Sequence, residues 1–425
     1  MDQTTADHIE LYFRKYPEVP PEAIIKEDIL RLGVKFTPAA LARAQGFKLK
    51  TYFLFTYDHA DNQGVRAPQD LYLSGGPYGL RHTIVRVVVS DRSPYCVDVQ
   101  DDKLVITYQG QFLANIEYPR LAPYHYKTLP DGTRYGDYIP LVCDHLGFLT
   151  TYRTCQYWGK GLNCRFCDIN ENVRQIRKHF GKEAMPKAYK DIDSVVTVIE
   201  AMFAEQDPDL RVQEILITAG TILGELNGKN DTEFNLEYVE AIRDRIGYRI
   251  PIVLIIEAKK ESELKRIKSA GVTSLNFNLE VWDKNIFAAL CPGKQQYIGW
   301  DEWVRRLIKA VDVFGECNAS PNFVAGVEMA QPYGFKEVDQ AIKSTTEGFE
   351  FLMKHGVVPH LDTWTPEPGT MFEGHPPISL DYLIQVDRAW YETWKKYDYL
   401  PVTGYGPVGP GRAYYANTGS VDMGY

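Results

Sequence analysis

The feature that most constrains this chain is an alternation of short apolar runs with segments of helical spacing, which begins at residue 146. The runs are rich in β-branched and aromatic residues, which favour strands, and the segments between them carry apolar residues three or four positions apart. Strands that alternate with helices form parallel βα units. The six runs are LGFLTTYR (146–153), QEILITAG (213–220), IPIVLIIEA (250–258), VTSLNFNLEV (272–281), SPNFVAGVE (320–328) and VVPHLDTW (357–364).

Six consecutive βα units predict an α/β chain with a partial TIM-type (β/α)6 barrel over residues 146–375, whose catalytic residues lie at the C-terminal ends of the strands. Residues 1–145 predict an N-terminal α+β, mostly β, extension, because a helical arm precedes alternating runs such as KLVITY. Residues 376–425 predict a helix and a tail rich in Gly and Tyr. With no core of its own, this tail is expected either to lie over the barrel mouth or to extend into solvent.

Composition excludes several classes of protein. The net charge of −9 argues against a general binder of nucleic acid or of anionic membranes. The N-terminus lacks the pattern of a signal peptide, and no apolar stretch approaches the roughly 20 residues that span a bilayer. Seven cysteines, scattered apart from one cluster, do not form a disulfide framework. We therefore expect a protein of the reduced cytoplasm.

The cysteine cluster is TCQYWGKGLNCRFCDIN (154–170), which follows the first barrel strand and has the spacing C-x8-C-x2-C. A structural zinc site needs four ligands, and the fourth would come from Cys143 or His145 just upstream. In a 4Fe–4S cube, three thiolates leave one iron open, which is required if a small molecule must bind the cluster and receive an electron. Both interpretations remain open from the residues alone.

The loop resembles that of the radical S-adenosylmethionine superfamily, in particular its biotin synthase- and lipoyl synthase-like core. The resemblance rests on the C-x-φ-C piece from Cys164 to Cys167, in which Phe166 is the aromatic residue. The first gap here has eight residues, whereas three is the commonest number in the superfamily. The resemblance implies that Cys155, Cys164 and Cys167 hold one 4Fe–4S cluster, which binds S-adenosylmethionine.

Downstream segments extend this resemblance. LKRIKSAGVTSLNFNLEVWD (264–283) is similar to a superfamily segment in which an Asn and an acid bind the ribose and methionine parts of S-adenosylmethionine. On a strand of period two, residues 276, 278 and 280 share one face and point together into the barrel. ITAGT (217–221) replaces a Gly-Gly-Glu type turn without its acid, and FVAGVE (323–328) resembles the turn on the adenine side. The implied cofactor-binding residues are Phe166, Ala219, Gly220, Thr221, Asn276, Asn278, Glu280, Gly326 and Glu328.

The resemblance further implies a 5′-deoxyadenosyl radical that abstracts hydrogen from a small-molecule substrate, and an electron donor such as flavodoxin or ferredoxin. Candidate catalytic residues at other strand ends are Glu257, His360, Asp362 and, as a thiol, Cys291. The four remaining cysteines show no C-x2-C pair, so we expect a single cluster and leave oxidoreductase, lyase and transferase chemistry open. The alternatives are a non-catalytic zinc- or Fe–S-binding protein and an RNA-modifying radical enzyme.

Overall fold

The computed structural model describes residues 7–47, 49–50, 65–171, 173–174, 188–367, 369–400, 408–412 and 415–424. The helices are α1 (Asp7–Lys15), α2 (Pro21–Leu32), α3 (Pro38–Ala42), α4 (Tyr135–Tyr138), α5 (Ile192–Phe203), α6 (Asp231–Ile246), α7 (Glu261–Ser269), α8 (Lys284–Leu290), α9 (Pro292–Tyr297), α10 (Trp300–Phe314), α11 (Val338–Met353) and α12 (Leu380–Tyr397). In the described part of the chain, no helix is both long and apolar enough to cross a membrane.

The strands fall into an N-terminal set and a set that begins near residue 141. The first set is β1 (Lys35–Phe36), β2 (Leu49–Lys50), β3 (Val65–Arg66), β4 (Asp70–Gly75), β5 (Leu80–Arg86), β6 (Tyr95–Gln100), β7 (Lys103–Tyr108) and β8 (Gln111–Glu117). The second set is β9 (Leu141–Val142), β10 (Leu146–Tyr152), β11 (Glu214–Ala219), β12 (Ile252–Ile255), β13 (Ser274–Asn276), β14 (Ala319–Ser320), β15 (Asn322–Ala325) and β16 (His360–Thr363).

The N-terminal sheet has six strands in the order β1-β6-β7-β8-β4-β5, and only its β1–β6 pair is parallel. Tight turns at Asp101–Asp102 and Gln109–Gly110 connect its central strands, with positive φ at both residues of each turn. Such turns match the twist of antiparallel neighbours. The predicted strand KLVITY is β7, so that prediction is confirmed.

A second sheet, in the order β14-β13-β12-β11-β10-β9, forms the core of the remaining chain. Strands β10 to β14 are all parallel, and the short β9 runs antiparallel to β10. Strands β15 and β16 form a parallel pair. Hydrogen bonds from Glu280 N–H to Asn322 O (2.8 Å) and from Val324 N–H to Glu280 O (2.9 Å) join this pair to the segment after β13.

Each of the six predicted runs contains a strand of this parallel series, and helices lie between consecutive strands. The apolar stripe predicted between the first two runs is the buried face of α5, formed by Val195, Val198, Ile199 and Met202. A capping box between Asn230 and Glu233 begins α6. The prediction of a mixed α/β chain is therefore confirmed, and its parallel strands are consistent with a partial TIM-type core.

The described end of the tail, residues 415–424, packs between the N-terminal sheet and the last parallel strand. The N–H of Arg86 in β5 donates to Ala416 O (3.0 Å), and the N–H of Thr363 in β16 donates to Asn417 O (2.9 Å). Neither expectation for the tail is correct, since this part of it lies neither over the mouth nor in solvent. Its partners come from distant parts of the chain, which composition does not reveal.

The tail also contacts helix α2. Lys26 and Asp422 form an ion pair of 2.8 Å in which both side chains are fully buried, and the N–H of Gly419 donates to Glu27 Oε1 at 2.5 Å. An ion pair buried this deeply requires close positioning of both partners, because each charge has lost its hydration. The tail thus occupies a defined place beside α2.

Candidate active site

The loop that carries the three cysteines lies at the C-terminal end of β10. The N–H of Cys155 donates to Asn170 Oδ1 (2.8 Å), which holds the start of the loop against its end. A Cβ atom on Gly220, after β11, would lie 1.9 Å from Thr154 O, so only glycine permits this approach between loop and strand end. The three cysteines line one cavity of about 290 Å³, which we call the mouth cavity.

The three thiols suit a cluster better than a single ion. Burial raises the pKa of Cys155 and Cys167, whereas a hydrogen bond with the Cys291 thiol lowers the pKa of Cys164. In the described residues, no group of three or more His, Cys, Asp or Glu side chains is arranged to hold one metal ion. A 4Fe–4S cluster distributes its thiolates over separate irons, so three cysteines around one cavity are a fitting donor set.

Both proposed fourth zinc ligands are near the loop in sequence, but neither lies near it along the sheet. Cys143 and His145 precede β10, whereas the loop follows it, and seven strand residues span roughly 20 Å. Cys143 is buried, its N–H donates to Asp70 Oδ2 (2.8 Å), and His145 Nδ1 lies 2.6 Å from Cys143 O. This geometry disfavours a zinc site that uses either residue.

The segment of Asn276, Asn278 and Glu280, which we call the Asn-Glu segment, has a different backbone conformation from the predicted one. β13 ends at Asn276, and Glu280 has a positive φ of 71°, so the expectation of one continuous strand face through residue 280 is wrong. The backbone bends here because Glu280 pairs with Phe323 of β15. Even so, Asn278 and Glu280 line the mouth cavity, and Asn276 lies deeper in the barrel.

A buried lysine, which we did not predict, stands beside this segment. Lys294 Nζ lies 2.5 Å from Glu280 Oε1, 2.6 Å from Asn278 O and 4.7 Å from the ring centre of Trp303. Burial alone would lower the pKa of Lys294, but the nearby Glu280 carboxylate and Cys164 thiol raise it, so the amine is charged. It provides a cation at the wall of the mouth cavity, which suits an anionic group of a ligand.

The other predicted cofactor residues divide into two groups. Phe166 and the turn of Ala219, Gly220 and Thr221 line the mouth cavity. Gly326 and Glu328 line neither cavity described here. Glu328 is buried, and its carboxylate is satisfied by three donors. Gly326 N–H donates within the same turn (2.8 Å), Thr345 Oγ1 donates from α11 (3.0 Å) and the Tyr382 hydroxyl donates from α12.

A second cavity of about 130 Å³, the inner cavity, lies among the parallel strands. It shares lining residues with the mouth cavity, so the two adjoin. The shared residues are Arg86, Thr218, Ile255, Asn278, Asn322 and Asp362. Apolar side chains from β10 to β12 give it an apolar wall. Side chains from β4, β5, β13, β15, β16 and the tail give it a polar one.

Three of the four predicted catalytic residues line the two cavities. Glu257 lines the mouth, accepts a hydrogen bond from the Tyr157 hydroxyl and has its pKa raised by burial. His360 lines the inner cavity, where burial lowers its pKa to about 3. Asp362 lines both, and burial raises its pKa. Cys291 is fully buried and lines neither cavity. It is the N-cap of α9, and its thiol is hydrogen-bonded to that of Cys164.

Arg86 is the second lining residue that we did not predict. It ends β5 of the N-terminal sheet, yet it lines both cavities. No local pattern distinguishes it from the other arginines, because its position depends on how the sheet packs against the barrel. Lys294, in contrast, belongs to the short motif CPGK (291–294), which follows the Asn-Glu segment closely in sequence. This position could have suggested that Lys294 lies near the site.

Comparisons with known proteins give one partial match in sequence and several in structure. No family model matches the chain. The bacteriochlorophyllide c C-7(1)-hydroxylase of Chlorobaculum limnaeum is 27% identical over 136 residues, which are 32% of this chain and 31% of that protein. The match thus spans about a third of the relative's length.

Two solved structures illustrate the structural likeness. Methylornithine synthase has a TM-score of 0.42 and 14% identity, over 61% of this chain and 66% of its own. A radical SAM methyltransferase from Sphaerobacter thermophilus has a TM-score of 0.40 and 13% identity, over 75% of this chain and 78% of its own.

The site and the partial sequence match can be compared with the resemblance that the sequence shows. Three cysteines with a C-x-φ-C piece follow the first strand of a parallel series, and the Asn-Glu segment faces them across one cavity. Together with the partial match to the curated hydroxylase, these features agree with the resemblance of the chain to the radical S-adenosylmethionine superfamily.

Proposed function

We propose that this chain is an enzyme that binds S-adenosylmethionine beside one 4Fe–4S cluster in the mouth cavity and removes hydrogen from a small molecule in the inner cavity. When bound, the cluster and S-adenosylmethionine supply one-electron cleavage of the sulfonium and a 5′-deoxyadenosyl radical. The observation that carries the proposal is the junction of the two cavities, since thiols line one and a small chamber of mixed polarity adjoins it.

In the mouth cavity, the chain's own residues would position S-adenosylmethionine. Cys155, Cys164 and Cys167 would hold the cluster. Asn278, Glu280 and the backbone of the turn at residues 219–221 would accept and donate hydrogen bonds to the ribose and the amino group. Lys294 would balance the carboxylate, because it is buried and charged. Burial from water strengthens each of these contacts.

In the inner cavity, His360 and Asp362 would orient the substrate by hydrogen bonding. His360 is neutral at physiological pH, given its lowered pKa, and so acts as a hydrogen-bond partner only. Asp362 is held by Asn322 Nδ2 (2.8 Å) and by the Tyr415 hydroxyl (3.0 Å). Side chains that are fixed in this way hold a bound molecule in one orientation, which a selective hydrogen abstraction requires.

Broader features of the proposal concern architecture and partners. We propose that the six parallel strand positions form a (β/α)6 barrel of residues 146–375, flanked by an N-terminal extension (1–145) and a C-terminal helix and tail (376–425). Radical SAM enzymes need a reductant, and we propose a flavodoxin or ferredoxin. The curated relative is named as a hydroxylase, a reaction at a carbon–hydrogen bond, which supports hydrogen abstraction here.

The test is release of 5′-deoxyadenosine by anaerobically reconstituted protein with S-adenosylmethionine and dithionite. We expect about four irons per chain and release above the protein-free background. Cys167→Ala should lose both iron and release. Cys96→Ala, which alters a half-buried thiol in β6, is the matched control and should keep both. One zinc per chain, or iron without any release, would overturn the proposal.

A further inference from the structure

The inner cavity contains an arginine, Arg86, with one buried hydrogen-bond donor that the chain does not use. Arg86 is only 7% exposed. Its Nη2 donates to Thr363 O (3.1 Å), whereas its Nε is buried without a hydrogen-bond partner. Among the described residues, no ion pair joins it to a carboxylate. A buried guanidinium with unused donors is costly unless a ligand completes it.

Two carboxyl groups interact electrostatically with Arg86, those of Asp362 and Glu367, and both are hydrogen-bonded to other groups. Both oxygens of Asp362 accept hydrogen bonds from neutral donors, Asn322 and Tyr415. Glu367 is hydrogen-bonded to Asp168. The backbone of Arg86 is fixed as well, because its N–H donates to Ala416 O in the tail. The guanidinium is therefore held at the junction of the two cavities, where it interacts electrostatically with Asp362 and Glu367 but, among the described residues, forms no ion pair or hydrogen bond with a carboxylate.

The wall across the inner cavity is apolar. It consists of side chains from three consecutive parallel strands, namely Leu146, Phe148, Leu216, Val253 and Ile255. The cavity thus pairs one cationic group, Arg86, with an apolar surface. Two acids, Asp70 and Asp362, also line it, and their carboxyl oxygens accept hydrogen bonds from the chain. A molecule that fits it has an apolar body and one anionic group.

We propose that Arg86 binds a carboxylate of the substrate, so that the enzyme acts on a small carboxylic acid with an apolar body; this inference rests on the proposed function. The planar guanidinium fork matches the two oxygens of a carboxylate. A phosphate would carry up to two charges beside the single cation of Arg86, since Lys294 lines the mouth cavity and not the inner cavity. Arg86 would hold the acid at the junction, with the apolar body in the inner cavity.

The test compares 3-phenylpropionate with its neutral amide, 3-phenylpropionamide, by ligand-observed NMR titration of the reconstituted protein without reductant. We expect the wild type to bind the acid at least about tenfold more tightly than the amide. Arg86→Gln should bring this ratio close to one, and Arg86→Lys should retain part of it. Arg43→Gln is the matched control, because Arg43 pairs with Asp102 at the surface of the N-terminal sheet, and it should keep the full ratio.

Equal binding of acid and amide by the wild type, absence of acid binding, or an unchanged ratio in Arg86→Gln would overturn the inference. Inorganic phosphate is the second probe, and displacement of the acid by equimolar phosphate would overturn the carboxylate assignment. Release of 5′-deoxyadenosine is measured separately on the wild type. Release without acid preference defeats only this inference, and acid preference without release defeats only the proposed function.

Discussion

The ion pair between Glu280 and Lys294 permits a quantitative test of the mouth cavity. Their charged atoms lie 2.5 Å apart and each side chain is 10% exposed. Glu280→Gln keeps the shape of the side chain but leaves the largely buried Lys294 ammonium without its counter-charge. Removal of one partner from a buried pair costs about 3–5 kcal/mol. We expect about 3 kcal/mol, because Lys294 keeps its hydrogen bond to Asn278 O.

The chain offers a control with the same geometry and different burial. Lys284 and Asp301 also lie 2.5 Å apart, but their side chains are 56% and 81% exposed. Solvent screens such a pair, so Asp301→Asn should cost less than about 1 kcal/mol. The difference between the two variants isolates the effect of burial, because the distance between the charges is the same.

The assay is urea unfolding of the cofactor-free protein under anaerobic conditions, since bound ligands would add their own stabilisation. The double variant Glu280→Gln/Lys294→Met removes both charges and should recover most of the loss, which gives a coupling energy of about 2 kcal/mol or more. After reconstitution, Glu280→Gln should keep its iron but bind S-adenosylmethionine roughly 5- to 150-fold more weakly. If Glu280→Gln costs no more than Asp301→Asn, the argument from burial is refuted.

Two further predictions concern the cluster and a buried carboxyl at the other end of the barrel. Replacement of the three loop cysteines by alanine should remove all iron and sulfide, whereas replacement of the other four should leave about four irons per chain; a wild-type total near eight would reveal a second cluster. Burial raises the pKa of Glu214 from 4.5 to about 8, so the folded state retains a proton that the unfolded state loses. The contribution of Glu214 to stability is then greatest below pH 4.5 and is lost as the pH rises to about 8, a change of roughly 5 kcal/mol at most. Glu214→Gln should abolish this decline in urea unfolding, the exposed Glu240→Gln should not, and an unchanged decline in Glu214→Gln would contradict the assignment.

The strands of the core were predictable because each is a local pattern. The runs at residues 213–220 and 250–258 are nearly continuous apolar sequence, as parallel strands covered on both faces should be. Burial on β12 follows directly from this composition, since three of its four residues are buried and the fourth is half-buried. The position of the cysteine loop followed as well, because a loop after a parallel strand lies at the catalytic end of the sheet.

The bend after Asn276 was not predictable from the same reasoning. The run LNFNLE alternates polar and apolar residues, which predicts a strand throughout, but β13 ends after three residues. The tertiary environment decides here, since Glu280 bonds to the backbone of β15 and to Lys294 in α9. These partners lie 14 or more positions away, so a local pattern contains no trace of them.

The enclosure of the inner cavity was also beyond local patterns, and this has a consequence for the proposed function. The parallel strands and their loops provide the cysteines, the Asn-Glu segment and the apolar wall, and these are the parts that sequence patterns revealed. Arg86 from β5, together with Tyr415 and Asn417 from the tail, completes the polar wall. Under the proposed function, the parallel strands and their loops would carry the radical chemistry, whereas the N-terminal sheet and the tail would contribute groups that choose the substrate. Substrate selection in this chain should accordingly change with substitutions in β5 and residues 415–417, while cluster binding should not.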